Sequence, residues 1–258
     1  GFDAYITSGG ASIRMLEELT DYTLPFETVM KLLLALEKYD LVPILCGQDN
    51  ILFNPEILNS SIDPWFDVII EQIRDYYLPL CKYNESISVN KICVKIGKSG
   101  LKPCEIDELF TYIRSDCCCE ITEGWGSDGS LVEFEIIAYG RNKGKAVAEL
   151  IRELQKKDEK IITWAIGDGT SDISMFQNVD FSVAMGNASD KVKNAANYVT
   201  EDYERDGMAV ACERFVLMND VYEQIIRFTN ISTDGILGFE RFLIIDKAKW
   251  FDLLDRKS

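Results

Sequence analysis

The stretch Ile161-Ile162-Thr163-Trp164-Ala165-Ile166 is almost unbroken apolar sequence, and it stops at Gly167-Asp168-Gly169-Thr170-Ser171-Asp172. A run this short and this apolar reads as a strand covered on both faces, the pattern of a parallel sheet rather than of a sheet with one wet side. The sequence around it keeps the matching rhythm. Val147, Leu150, Ile151 and Leu154 mark an amphipathic helix before it, and a short helix begins near Asp172 after it. Phe181–Met185 reads as a strand, Asp190–Asn197 as a helix, Val199 as a short strand and Gly207–Leu217 as a last helix. Strand and helix in alternation predict an α/β fold with a Rossmann-like, doubly wound parallel sheet.

The N-terminal half has a different texture. Tyr5–Thr7 looks like the end of a strand and leads into Ser8-Gly9-Gly10. Pro25 opens a helix through about Tyr39, with Phe26, Met30, Leu33 and Leu36 at helical spacing, and Leu41–Cys46 is a short strand. A helix over about Trp65–Tyr77 follows. Ile92, Val94 and Ile96 alternate as in a strand, Ile106, Leu109, Phe110 and Ile113 fall on one helical face, and Val132, Phe134 and Ile136 alternate again. Helices mixed with hairpin-like strands predict a separate α+β module.

Composition removes whole classes of chemistry. The 258 residues contain no histidine, which excludes Ser-His-Asp triads, Cys-His pairs and His-ligated zinc. Acid–base work must fall to Asp, Glu, Lys, Tyr or Cys, and any metal must take oxygen or thiolate ligands. A net charge of −16 argues against nucleic acid or an anionic membrane as partner, since both need basic patches. A locally positive pocket for a small phosphorylated metabolite remains compatible with it. None of the eight cysteines forms a C-x-x-C, and the Cys117–Cys119 run reads as the start of a buried strand rather than a thiolate metal site. Thiols without an evident pairing pattern point to a reducing, cytoplasmic setting. No apolar run approaches the ~20 residues of a membrane span. Two glycine-rich motifs fail on context: Gly124-Trp125-Gly126-Ser127-Asp128-Gly129 leads into a strand, not a helix, and Gly97-Lys98-Ser99 lacks the first glycine of a P-loop.

The chemistry therefore rests on Asp168 and Asp172. They are four residues apart and flank a glycine-rich turn at the C-terminal end of a buried strand, the edge where α/β sheets bind ligands. Two carboxylates there suit a hard cation such as Mg²⁺, which takes a few carboxylate oxygens and keeps waters for a phosphate. The alternative is a plain Asp-Gly turn with Asp172 capping the next helix. Upstream, Asn142-Lys143-Gly144 opens the amphipathic helix. A lysine at a helix start opposes the macrodipole, and a phosphate held between Lys143 and the helix end would offset that.

Lys143-Gly144, Gly167-Asp168 to Asp172, Ala184-Met185-Gly186-Asn187-Ala188 and Asp206-Gly207 together resemble, in order and spacing, the Cof-type branch of the haloacid dehalogenase superfamily, whose cap is of the second (C2) type. Tyr5-Ile6-Thr7-Ser8-Gly9-Gly10-Ala11 resembles the stretch just before that cap. The resemblance implies a core of residues 1–21 and 137–258, with a C2 cap over 22–136 that selects the substrate. It implies a Mg²⁺-dependent phosphohydrolase of small phosphorylated metabolites, such as sugar or cofactor phosphates, working through an aspartyl-phosphate. Lys143 and Asp172 would be catalytic, Ser8, Gly9, Lys143 and Asn187 would bind the phosphate or substrate, and Asp168 and Asp172 would serve the metal, Asp168 as its ligand and Asp172 indirectly, by supporting the metal's waters or Lys143.

The family's opening strand and D-x-D-G-T have no counterpart ahead of Gly1, so the nucleophile is expected to be absent from this chain and turnover impaired. The alternative is a relative that binds ligands or partners without catalysis. Ser171 and Gly9 both stand where the family usually has asparagine. Phe242–Ile245 is the one apolar stretch left over, and it is expected to pack on or within the core sheet. Asp246 behind it makes a poor nucleophile site because Ala248 replaces the second aspartate.

Overall fold

The computed structural model describes residues 4–15, 18–54, 77–96, 101–125, 130–156, 161–217, 225–231 and 241–242, with the backbone alone for 216–217, 225–231 and 241–242. The chain divides into two compact units. Among the described residues, one holds everything up to residue 20 and from 142 onward, and the other runs Asp21–Arg141.

The first unit begins with β1 (Ala4–Thr7), which returns antiparallel as β2 (Ser12–Met15), with β3 (Glu18–Asp21) next in that sheet. The reversal uses left-handed backbone at Ser8, Gly9 and Gly10, whose φ values are 52°, 67° and 97°. At Gly10 the need for glycine is also spatial, because an added Cβ would sit 2.4 Å from the Asn142 carbonyl oxygen.

The inserted unit carries α1 (Phe26–Lys38), β4 (Val42–Cys46), β5 (Ile51–Phe53), β6 (Tyr77–Pro79), β7 (Lys91–Lys95), α2 (Pro103–Ser115), β8 (Cys119–Trp125) and β9 (Leu131–Ala138). Its sheet runs β6-β5-β4-β7-β9-β8 and is antiparallel except between β5 and β6. α1 and α2 pack on one face, burying Leu32, Leu36, Leu109, Phe110 and Ile113 against Leu45, Ile92, Val94, Phe134 and Ile136. The buried stripe of α1 is Val29, Leu32 and Leu36. Met30, expected inside, is exposed, because the helix is rotated to put Val29 under the sheet. Lys91 projects from the alternate set of β7 positions, is nearly sealed from solvent, and bonds Glu135 at 2.7 Å. The expected helix over 65–77 lies outside the described residues up to 76, and Tyr77 opens β6.

All eight cysteines are free thiols. In the 117–119 run the strand starts at Cys119, while Cys118 is exposed with φ 51° and makes the turn into it. Burial lifts the Cys119 thiol to about 12, with Cys117, Cys118 and Glu120 adding to the shift. Burial disfavours the thiolate, so Cys119 stays protonated through the ordinary alkylation range. Iodoacetamide at pH 8 should therefore label the exposed Cys81, Cys104 and Cys118 and spare Cys119. Peptide mass mapping that finds Cys119 modified as fast as Cys118 would contradict this burial.

The chain then re-enters the first unit through α3 (Lys143–Gln155), β10 (Ile162–Gly167), α4 (Asp172–Phe176), β11 (Phe181–Ala184), α5 (Asp190–Ala195), β12 (Tyr198–Val199), α6 (Gly207–Cys212), β13 (Ile225–Ile231) and β14 (Arg241–Phe242). The sheet order is β12-β11-β10-β13-β14, parallel throughout except for β14. β10 is covered on both faces, as its apolar run requires. Ala165 packs with Ala146, Val147, Leu150, Met175 and Val192, while Ile166 and Trp164 pack with Val183, Met185, Ala211 and Phe215. The tail enters the core sheet, as expected, with Phe242 in the edge strand β14, where it pairs with Asn230; residues 243–246 lie outside the described ones. The strand directly beside β10 is Ile225–Ile231, with Ile166 opposite Thr229, a strand the sequence reading did not anticipate. A parallel strand needs a chain running the same way as β10, and Ile225–Ile231 supplies it. The expected final helix over 207–217 ends as α-helix at Cys212 and continues as a wider π-turn, Glu213–Leu217.

Candidate active site

The C-terminal end of β10 carries the carboxylates into a network rather than a simple pair. Asp172 is fully buried at the first turn of α4. Its Oδ1 accepts from the Lys143 Nζ at 2.9 Å, an ion pair with both side chains almost wholly out of water. Its Oδ2 accepts the backbone N–H groups of Asp168 at 3.0 Å and Gly169 at 2.9 Å. One carboxylate thus fixes a lysine and folds the turn that presents Asp168. Gly167 makes the approach possible, since a Cβ there would lie 2.5 Å from Asp172 Oδ2.

Lys143 is the first residue of α3, buried and held from its backbone as well. Asn142 caps the helix, with its side-chain oxygen accepting the Lys145 N–H at 2.8 Å. The Gly144 N–H donates to Ser174 Oγ at 3.1 Å, and an added Cβ on Gly144 would lie 2.1 Å from the Ser174 carbonyl oxygen. Helices α3 and α4 therefore touch backbone to backbone beside the Lys143–Asp172 pair. The Ser8–Gly10 turn reaches the same helix start through Gly10 against Asn142 and Lys143.

Asn187 Nδ2 donates to Asp168 Oδ2 at 3.0 Å. The loop bearing Asn187 is anchored by the Gly186 N–H to the Glu201 carbonyl at 2.9 Å. Behind it, Thr200 Oγ1 donates to the Gly207 carbonyl at 2.7 Å, and Gly207 packs so tightly on Glu201 that a Cβ would come within 1.9 Å of its oxygen. Asp206-Gly207 is thus a turn that supports this loop, with Asp206 in left-handed backbone at φ 54°.

The sequence-derived residues Lys143, Asp168, Asp172 and Asn187 come together in one hydrogen-bonded chain. Ser8 and Gly9 lie in the turn whose third residue touches the start of α3. Asp172 was expected to support either the metal's waters or Lys143, and the contact present is with Lys143: both its oxygens are engaged by protein donors and the residue is sealed from solvent. Asp168 is partly exposed, with its Oδ2 accepting from Asn187. Among the described residues no group of three or more acidic or thiol side chains is gathered to hold a cation. Asp168 alone suits Mg²⁺ in a limited sense, since that ion commonly takes one or two carboxylates, water and substrate phosphate. Ser174 and Gly10 were not singled out for the site, because an ordinary serine and one glycine of a pair carry no signal until the helices and turn meet.

The edge of the parallel sheet thus gathers a buried lysine, a partly exposed aspartate and a helix N-terminus within an α/β unit. Residues 1–211 match the profile of the haloacid dehalogenase-like hydrolases. The chain belongs to that family, in its Cof-type branch. It is 35% identical over 111 residues to 5-amino-6-(5-phospho-D-ribitylamino)uracil phosphatase YcsE of Bacillus subtilis, a match covering 43% of this chain and 42% of that protein. It is 39% identical over 72 residues to phosphoglycolate phosphatase of Methanosarcina acetivorans, covering 28% of this chain and 31% of that protein. The chain thus matches less than half the length of these relatives. Among solved structures, the subclass IIB sugar phosphatase BT4131 superposes with a TM-score of 0.61 at 26% identity, over 84% of this chain and 76% of that one. No helix among the described residues is long and apolar enough to cross a membrane.

Proposed function

We propose that this chain provides the phosphate-holding and metal-holding side of a Mg²⁺-dependent phosphohydrolase that acts on a small phosphorylated metabolite. The observation that carries this is the Lys143–Asp172–Asp168 network at the C-terminal edge of β10. Lys143 supplies a positive charge in a nearly water-free setting, where attraction to a phosphoryl group is strong. Asp172 prevents that ammonium from swinging away and shapes the turn. Asp168 would hold Mg²⁺, which when bound would neutralise phosphate charge, and Asn187 keeps the Asp168 carboxylate oriented. The aspartyl-phosphate route needs a second carboxylate as nucleophile, and that part of the reading rests on the family resemblance.

The inserted unit Asp21–Arg141 acts in this reading as the C2-type cap that selects the organic part of the substrate. It has its own six-stranded sheet and its own core, as a separable selector requires. The relatives' substrates, a phosphoribityl-pyrimidine and phosphoglycolate, together with the sugar phosphatase, favour a sugar- or polyol-like phosphate. Eight free thiols favour a cytoplasmic setting.

Calorimetry with inorganic phosphate, with and without Mg²⁺, tests the site directly. Phosphate should bind more tightly with Mg²⁺. Lys143→Met should weaken it by on the order of tenfold or more, as expected for a lost charge-assisted hydrogen bond. Asp168→Asn should remove the Mg²⁺ dependence alone. A chain that binds phosphate no better with Mg²⁺, and equally well without Lys143, is not a phosphohydrolase of this kind.

A further inference from the structure

The Lys143–Asp172 ion pair joins the first residue of α3 to the first residue of α4. A second link lies one residue away on each side, and it passes through a single hydroxyl. Ser174 Oγ accepts the Gly144 N–H at 3.1 Å and donates to the Ser171 carbonyl at 2.9 Å. Gly144 follows Lys143 in the chain, and Ser171 precedes Asp172. A hydroxyl has one hydrogen to give and lone pairs to receive with, and here it uses both. A serine inside a helix commonly turns its hydroxyl back to a carbonyl three or four residues earlier. Ser174 does this and also takes a donor from a different helix, which satisfying its own hydroxyl does not require.

The Gly144 N–H needs such an acceptor, because the leading N–H groups of a helix have no partners within it. In α3 the Ala146 N–H donates to the Asn142 carbonyl at 3.1 Å, and the Asn142 side chain takes the Lys145 N–H. The Gly144 donor is met from α4 instead. The backbone of Ser174 is fixed as well: Asn178 Nδ2 donates at 2.8 Å to the Ser174 carbonyl, the group against which Gly144 packs. Lysine puts four flexible carbons between backbone and charge. Its ammonium is therefore only as well placed as the backbone that carries it, and the Ser174 hydroxyl ties that backbone to the turn that carries Asp172.

We propose that Ser174 is a positioning residue for Lys143: its hydroxyl sets the spacing between the start of α3 and the start of α4, and so sets where Asp172 holds the ammonium. All of these residues lie in the same compact unit. The consequence for phosphate binding rests on the function proposed above, while the consequence for Lys143 itself does not.

The test uses the full chain with two readouts, affinity for inorganic phosphate and the rate at which acetic anhydride acetylates Lys143, followed by peptide mass spectrometry. Acetylation needs the free amine, which the Asp172 carboxylate disfavours, so a loosened pair labels faster. Ser174→Ala should weaken phosphate about fivefold, the scale of one lost hydrogen bond, and speed Lys143 acetylation severalfold. Ser174→Cys nearly keeps the size but offers only a weak sulfur donor and acceptor, and should match Ser174→Ala. Ser174→Thr keeps a hydroxyl able to reach the same carbonyl and should stay close to wild type. Ser182→Ala is the control for general loosening, since it deletes another hydroxyl of the same unit, buried on β11 and bonded to Asn197 at 2.9 Å. It should lower stability in urea unfolding while Lys143 labelling stays slow. Unchanged Lys143 labelling in Ser174→Ala overturns the proposal. So does a Ser174→Cys chain that behaves as wild type, because packing would then be the cause, and so does an equal rise in Ser182→Ala. If wild type binds no phosphate but Lys143 labelling still responds to the Ser174 variants and not to Ser182→Ala, the phosphate reading falls and the positioning role stands.

Discussion

Asp172→Ala should cost about 3–5 kcal/mol of stability and leave no measurable phosphate binding. The substitution strands the buried Lys143 ammonium without its partner, and removing one member of a buried ion pair costs that much because a charge is left in a dry interior. It also takes the acceptor from the N–H groups of Asp168 and Gly169, so the turn loses the atom that folds it. Thermal and urea unfolding would measure the stability loss. Double replacement, Asp172→Ala with Lys143→Met, should recover a good part of it, since the stranded charge goes as well. A double variant no more stable than the single would mean that the pair is not the source of the cost. A role for Asp172 chiefly as metal ligand predicts something else: near-normal stability and a defect confined to Mg²⁺.

Gly144→Ala should damage the site through geometry alone. The added methyl would begin 2.1 Å from the Ser174 carbonyl oxygen and 2.5 Å from its carbon, and neither backbone atom can turn aside. Ordinary contact needs about 3.5 Å, so α3 and α4 must part by roughly 1 Å. Overpacking of this kind costs about 1–3 kcal/mol. The larger effect is on alignment: Lys143 is on α3 and Asp172 on α4, so the same displacement stretches their 2.9 Å bond. Misplacement by 1 Å can lower a rate on the order of 100-fold, and phosphate affinity should fall at least tenfold. Calorimetry combined with unfolding curves checks both. Ala148→Gly, at a partly exposed position of the same helix, should cost only about 1 kcal/mol and leave affinity unchanged, because it alters propensity without moving α3 toward α4.

Local pattern carries much of this molecule. The apolar run of β10 required cover on both faces, and Ala165 on one side with Ile166 on the other provides it. The helix start at Lys143 was legible from Asn142 and the spacing of Val147, Leu150 and Ile151, and the Asp168 turn from its glycines, since capping, periodicity and glycine punctuation all act within a few residues. What the tertiary structure alone decided are the pairings over distance. Asp172 meets a lysine 29 residues away and so orients it, a pairing that its four-residue spacing from Asp168 left open among metal support, Lys143 support and a helix cap. Asn187 reaches Asp168 across 19 residues. Ser174 and Gly10 acquire meaning only once α3, α4 and the first turn are brought together. The neighbour of β10 was likewise beyond local reading: Phe242 joins the core sheet as its apolar surroundings suggested, but only at the edge, and the strand beside β10 is Ile225–Ile231. Apolar pattern determines that a segment is buried, whereas register, direction and charge pairing depend on what the rest of the chain places opposite it.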